Sequence, residues 1–211
     1  MDLPILMADI IDSSNKNSAK LMYQFKDVVL FCNQKRIKNL ISPLTITLGD
    51  EFQGLIDTIE NGIETIFDIE EMILEKRYNL KLRYVLLFGE ISTEINNEIA
   101  YEMLGEGLTT ARKYLTLLKK KDSRFYISLN KERRREEYLN KAFSIYQNYV
   151  DSWKEKDIEI VKEFLTHEDY KEVAKNVNID PSNAWRRKKS LNINEYKDIK
   201  KIILLISNSK I

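Results

Sequence analysis

Two hydrophobic periods run along this chain and assign most of its elements. Leu3-Pro4-Ile5-Leu6-Met7-Ala8-Asp9-Ile10-Ile11 is a strand-like run that carries an acid near its end. From about Ser18 to Leu40, the apolar positions Leu21, Phe25, Val28, Cys32 and Ile37 fall near helical spacing. Thr45-Ile46-Thr47-Leu48 then alternates with period 2, runs into Gly49-Asp50-Glu51, and resumes as Phe52-Gln53-Gly54-Leu55. That pattern predicts a tight β-hairpin, because glycine takes backbone angles that other residues resist. Ile59, Ile63, Ile66, Ile69 and Ile73 repeat as one face of a helix over Thr58 to Arg77, and Leu80 to Phe88 reads as a strand closed by Gly89-Glu90. The order β-α-β-β-α-β predicts the split βαβ plan, with two helices over one face of an antiparallel sheet. Beyond it the pattern predicts a strand at Glu98 to Met103, a helix from about Gly107 to Lys119 and a strand at Arg124 to Leu129, which would extend the sheet.

From Asn130 onward the periodicity is wholly helical. The dense charges of Lys131 to Glu137 open a linker helix at about 131–150, and 151–211 forms a second module. The expected domains are therefore 1–130, the linker helix 131–150 and 151–211. Internal repeats and low-complexity segments are absent from the sequence.

Composition narrows the function classes. The 211 residues are 43% hydrophobic, enough for a core, and 32% charged with a net charge of +1, so any nucleic-acid contact must come from local clustering. One cysteine, Cys32, excludes an intrachain disulfide and a cysteine zinc site. One histidine, His167, argues against a histidine metal centre or a Ser-His-Asp triad. The first ten residues hold two aspartates and no basic segment, and the longest apolar run, Ile202 to Ile206, is too short to span a bilayer. A cytoplasmic protein is expected.

Two strand-borne acids from distant segments, Asp9 and Asp50, suggest a site for a divalent metal and phosphate. Mg2+ takes hard oxygen ligands, commonly one or two carboxylates beside substrate phosphates. In the split βαβ plan the first strand and the hairpin are neighbours, so Asp9 and Asp50 would face each other. Asp12, Ser13 and Ser14 lead toward the first helix, where backbone amides hold phosphate oxygens. The plainer alternative is turn chemistry at Asp50 and Glu51 and helix capping by Asp9.

Ala8-Asp9-Ile10, Leu48-Gly49-Asp50-Glu51-Phe52, Leu82-Arg83-Tyr84 through Gly89-Glu90-Ile91, and Ala111-Arg112 together resemble the landmarks of class III nucleotidyl cyclases. Over nearly the whole chain the sequence resembles the SatD family of bacterial proteins, which join these motifs to a C-terminal helix-turn-helix. The resemblance implies that Asp9 and Asp50 are metal ligands, assisted by the Ile10 carbonyl. It also places Arg112 where cyclases hold an arginine that steadies the transition state. Arg112 and Glu51 are thus the candidate catalytic residues. Two departures stand out: cyclases carry an asparagine where this chain has Leu108, and adenylyl cyclases a base-selecting lysine where it has Ile46. The resemblance further implies a homodimer, because cyclase sites form between two palms. Glu90 is expected to pair with Arg83 or Arg112, and Lys119-Lys120-Lys121 to be a solvated helix end.

In the second module, Thr166-His167-Glu168-Asp169 is expected to open a helix with Thr166 as its cap. Val173, Ala174 and Val177 would face inward, Asn178 occupy the turn in a left-handed conformation, and Asp180 cap a helix with Pro181 at its first position. That helix reads Pro181-Ser182-Asn183-Ala184-Trp185-Arg186-Arg187-Lys188-Lys189-Ser190. As a recognition helix it would offer Ser182, Asn183 and Arg186 to DNA bases and Arg187, Lys188 and Lys189 to phosphates, with Trp185 in the core.

The expected fold is thus α+β: a ferredoxin-like (βαββαβ) cyclase-type palm followed by a small all-α helix-turn-helix. The expected function is a DNA-binding transcriptional regulator whose palm senses a nucleotide with Mg2+. The alternative is a metal-dependent nucleotidyl-transfer or cyclase-type enzyme that carries a helix-turn-helix.

Overall fold

The computed structural model describes residues 1–13 and 18–209. The chain is α+β, built on a five-stranded sheet in the order β2-β3-β1-β4-β5. The strands are β1 (Asp2–Ile10), β2 (Leu40–Ile46), β3 (Glu51–Ile56), β4 (Leu82–Glu90) and β5 (Phe125–Ser128). β1 pairs antiparallel with both β3 and β4, β2 pairs antiparallel with β3, and β5 joins β4 in parallel. The first helices, α1 (Ser18–Lys35) and α2 (Ile59–Glu75), connect these strands, and α3 (Glu106–Leu118) lies between β4 and β5.

Strand alternation sorts the central strands onto two faces. Leu6, Ala8 and Ile10 of β1, with Phe52, Tyr84, Leu86 and Phe125, turn toward α1 and α2, where Phe25, Val28, Cys32, Ile63, Ile66 and Ile69 meet them. Leu3, Ile5 and Met7, with Leu55, Val85 and Leu87, turn toward α3 and pack on Leu108, Ala111, Leu115 and Leu118. Each fully buried Ile, Leu or Phe contributes about 1.5–3 kcal/mol of hydrophobic stabilisation. Thr58 caps α2, its hydroxyl accepting from the Asn61 amide at 3.1 Å. α3 sits close to the sheet because Gly107 meets Gly89: a Cβ built on Gly107 would lie 2.7 Å from the Gly89 carbonyl carbon.

The remaining helices are α4 (Arg133–Ser152), α5 (Ile158–Thr166), α6 (Tyr170–Asn176), α7 (Pro181–Ser190) and α8 (Ile193–Asn208). α4 covers the free edge of β5. The Asn140 side chain accepts from the Ile127 amide at 2.9 Å and donates to its carbonyl at 2.7 Å, completing the ladder that the edge would otherwise leave open. Phe143, Tyr146, Trp153, Tyr196 and Ile203 belong to the same hydrophobic cluster as the helical face of the sheet, so one core runs from β1 to α8. Glu71 of α2 fixes the contact by accepting from Tyr196 at 3.0 Å and pairing with Lys200.

Four local expectations are corrected. Residues 98–103 form a loop, not a strand: Ser42 donates to the Asn96 carbonyl at 2.6 Å and the Ala100 amide donates to the Thr45 hydroxyl at 2.8 Å, so side chains rather than a ladder hold this segment to β2. α1 ends at Lys35 and leaves Ile37 exposed. Thr166 ends α5, and α6 is capped by Asp169, which accepts from the Lys171 amide at 2.9 Å. Trp185 is 46% exposed rather than core. Among the described residues no helix is long and apolar enough to cross a membrane.

Candidate functional site

The α3 face of the sheet is mostly apolar, but Gln53 lies opposite Met7 on it and the last rung beyond is charged. Asp9 on β1 lies opposite both Glu51 on β3 and Arg83 on β4, so one acid-acid-arginine row crosses three strands. Cross-strand partners share a face, and Met7 and Val85 on this face are buried. The row therefore takes the place of a hydrophobic layer. A charge so placed is costly unless it is paired.

Each member is paired. Asp9 is 1% exposed, and the Arg83 guanidinium donates to its two oxygens at 3.3 and 3.4 Å. The Lys119 ammonium, from the residue that ends α3, stands 3.0 Å from Asp9 Oδ2. Arg112, one turn into α3 beyond Leu108, donates through both Nε and Nη2 to Glu51 Oε1 at 3.2 and 3.0 Å, and Nη2 also reaches Gln53 Oε1 at 3.3 Å. Ala111, fully buried, anchors the helix beside it. Glu90 takes no part: it lies at the far end of β4, opposite Asp2, and accepts from Ser92 at 3.1 Å.

The hairpin tip closes one end of the row. Gly49 adopts φ +78°, the Thr47 amide donates to the Glu51 carbonyl at 2.9 Å, and the Ile10 amide donates to the Asp50 carbonyl at 2.9 Å. Asp50 is thereby fixed beside the end of β1, and its Oδ2 accepts from the Ser13 hydroxyl at 2.8 Å. Asp12 is exposed with φ 56°. Ser14 lies outside the described residues.

Of the residues singled out in the first part of the sequence, Asp9, Ile10, Ser13, Asp50, Glu51 and Arg112 converge on this end of the sheet, but Glu51 rather than Asp50 lies opposite Asp9, and the Asp50 carboxylate accepts from Ser13 at the hairpin tip. Arg83 and Lys119 join them and were missed. Arg83 carried a signal, being a charged residue at the inward parity of an otherwise apolar strand. Lys119 carried none, since it opens a run of three lysines that looks solvated. Leu108 is buried against the sheet, so no polar group stands at that position.

The donor set suits a hard divalent cation in kind. Two carboxylates and a main-chain carbonyl match what Mg2+ takes alongside phosphate oxygens. Among the described residues no group of three or more His, Cys, Asp or Glu is arranged to hold a metal unaided. A cation here would need oxygens from a ligand or water as well.

The second candidate surface is α7. Asp180 caps it by accepting from the Ser182 amide at 2.8 Å, and Asn178 in the preceding turn has φ 53°. Ser182, Asn183, Trp185, Arg186 and Lys189 are exposed, with the Lys189 ammonium 3.9 Å from the centroid of the Trp185 ring. Arg187 and Lys188 turn inward. Arg187 pairs with buried Asp157, and Lys188 donates to the Glu168 carbonyl at 3.0 Å. Burial opposes the charge of Asp157, but the Lys154 amide and the Arg187 guanidinium hold its carboxyl below the usual value. Burial pushes the Lys197 pKa down, and the like charges of Lys188 and Lys201 add to this against the pull of Glu168 and Glu71.

The model of the SatD family matches residues 4–204 of this chain. Among solved structures, a bacterial light-regulated adenylyl cyclase is similar over 60% of this chain and 43% of its own, at 14% identity and a TM-score of 0.47. The guanylyl cyclase Cya2 is similar over 56% of this chain and 70% of its own, at 11% identity and a TM-score of 0.40. The chain thus spans less than half the length of the adenylyl cyclase it matches. No curated protein matches it.

Proposed function

This chain belongs to the SatD family, and on that footing we propose that its first part is a nucleotidyl cyclase-type palm that binds a nucleoside triphosphate with Mg2+ and supports nucleotidyl transfer. The observation that carries the reading is the row of Asp9, Glu51 and Arg83, with Arg112 and Lys119 of α3 over it, at the charged end of a mostly apolar sheet face. Phosphoryl chemistry depends on positioning and on neutralising charge that spreads over phosphate oxygens. Asp9, Asp50 and the Ile10 carbonyl would hold the metal, which when bound neutralises phosphate charge. Arg112, half exposed, is within a side-chain rotation of a ligand lying on the row and would meet developing negative charge there. Glu51 would orient Arg112 between turnovers. Leu108 offers no hydrogen bond, which counts against ordinary cyclisation of ATP and favours another transfer on the same scaffold.

Thermal unfolding with each nucleoside triphosphate, with and without Mg2+, tests the reading beside an Asp9→Asn/Asp50→Asn double variant. Ligand at 100 times its dissociation constant adds about 2.7 kcal/mol to the folded state. A metal-dependent rise absent from the variant is expected, together with metal-dependent release of pyrophosphate or phosphate. No rise with any nucleotide would sink the reading.

A second reading adds DNA binding through α6 and α7 as a helix-turn-helix, so that the palm regulates transcription. It is favoured by the outward face of α7, where Ser182, Asn183, Arg186 and Lys189 are exposed together. Ser182, Asn183 and Arg186 would meet bases, and Lys189 a phosphate. Arg187 and Lys188 would first have to leave Asp157 and Glu168. Fluorescence anisotropy on duplex DNA at two salt concentrations decides it. Binding that weakens with salt and with Arg186→Ala is expected. In that arrangement the molecule acts as a homodimer on two half-sites.

A further inference from the structure

The strongest unexplained contact in the candidate site is the one between Asp9 and Lys119. The Asp9 carboxylate already has a nearly buried arginine, Arg83, with 15% of its side chain exposed. Lys119 supplies a second cation at 3.0 Å to Oδ2, from a side chain that is 49% exposed. The two partners differ in kind. Arg83 is fixed on the neighbouring strand in register with Asp9, whereas Lys119 reaches over from the end of α3 on a flexible stem. An ammonium and a hard divalent cation seek the same carboxylate oxygen, and both cannot occupy it.

We propose that Lys119 is an exchangeable counter-ion: it neutralises Asp9 while no divalent cation is bound, and it must leave Oδ2 when one enters. This rests on the reading of Asp9 as a metal ligand. Arg83 remains in place through the exchange, so Asp9 is never left without a partner. The charges on the row explain why a second cation is present at all. Arg83 and Lys119 both stand on Asp9 while Arg112 stands on Glu51, so removing Lys119 leaves Asp9 paired with Arg83 and makes the position beside it more negative by one charge. Such a position attracts a divalent cation more strongly. Lys119 therefore sets the metal affinity of the site from within the chain and neutralises Asp9 in the metal-free protein.

The test is direct Mn2+ binding, followed by electron paramagnetic resonance of the free ion, in the full chain without nucleotide. Lys119→Met should bind Mn2+ about two- to fivefold more tightly than the unsubstituted protein, the range that a half-exposed ion pair is worth. Lys119→Arg, which keeps a cation on Asp9, should restore the weaker affinity, and Asp9→Asn should lose binding in either background. The thermal stability of Lys119→Met without metal should fall, and saturating Mn2+ should raise it by more than it raises the unsubstituted protein. A purely structural lysine would lower stability without tightening Mn2+. Equal or weaker Mn2+ binding by Lys119→Met, with binding by the unsubstituted protein intact, overturns the exchange and leaves the metal reading standing. Absence of Mn2+ binding from both proteins, with and without a nucleoside triphosphate, overturns the metal reading and the exchange with it.

Discussion

Cys32 sits on the inner face of α1 with no exposed surface, packed in the cluster that joins α1 and α2 to the sheet. Burial pushes its thiol up to about 12, the charge of Asp68 adding to this and Lys35 and Arg36 opposing it. A thiol held neutral and inaccessible does not react as a nucleophile. The native protein should therefore take up no iodoacetamide at neutral pH, and full labelling should appear only in denaturant, counted by mass. The same shift sets a pH dependence. The folded-state value is raised above the ordinary 9.0, so the stability it contributes is complete below pH 9.0 and is lost as pH rises toward about 12. Relative to a Cys32→Ala variant, the unsubstituted protein should lose unfolding free energy above pH 9 and not below it. A difference that does not change with pH would mean that the thiol ionises as readily folded as unfolded.

At the scale of the element, α3 matters most, because it carries both Arg112 and Lys119. Its seat is the contact of Gly107 with Gly89, and a methyl group on Gly107 would also meet the Glu90 amide at 2.8 Å and Ile5 Cδ1 at 2.7 Å. Backbone atoms cannot yield as a side chain can. Gly107→Ala should cost about 1–3 kcal/mol by overpacking, measured by urea denaturation, and should weaken Mn2+ and nucleotide binding by shifting α3 off the row. Unchanged stability would mean that the helix has slack against the sheet. The position of α3 was legible from periodicity, as was α2, whose isoleucines at 59, 63, 66, 69 and 73 line its inner side. The docking was not legible, because Gly89 and Gly107 lie on different elements and nothing in the spacing joins them. The same limit hid Lys119: only the angle at which α3 crosses the sheet brings the end of the helix over Asp9. Asp9, Asp50 and Glu51 were legible because acids at the ends of apolar strands break the alternation. Residues 98–103 misled in the opposite way, since a short apolar stretch held by side-chain hydrogen bonds has the composition of a strand.

Over the whole molecule, the candidate site and the C-terminal helices lie on opposite faces of one sheet, and β4 touches both. Arg83 meets Asp9 on one face, while its neighbour Tyr84 points to the other and donates to Glu70 Oε1 at 2.8 Å. Glu70 holds Arg124 through both oxygens at 3.1 and 2.7 Å, and Arg124 holds Asp151 at the end of α4 at 3.0 Å. Burial alone would weaken the charge on Arg124, but Glu70 and Asp151 raise its pKa above the usual arginine value. This buried network and the shared aromatic cluster tie α4, α5 and α8 to the sheet, so the C-terminal helices should not unfold separately. Trp153, whose indole donates to the Leu191 carbonyl at 2.9 Å, reports the C-terminal side, and far-UV circular dichroism reports both. The two denaturation curves should coincide. Arg124→Met removes the partner of a buried carboxylate and should cost about 3–5 kcal/mol while keeping the curves coincident. If the fluorescence curve instead separates to lower denaturant in Arg124→Met, the ion network rather than the apolar core is what couples the two sides.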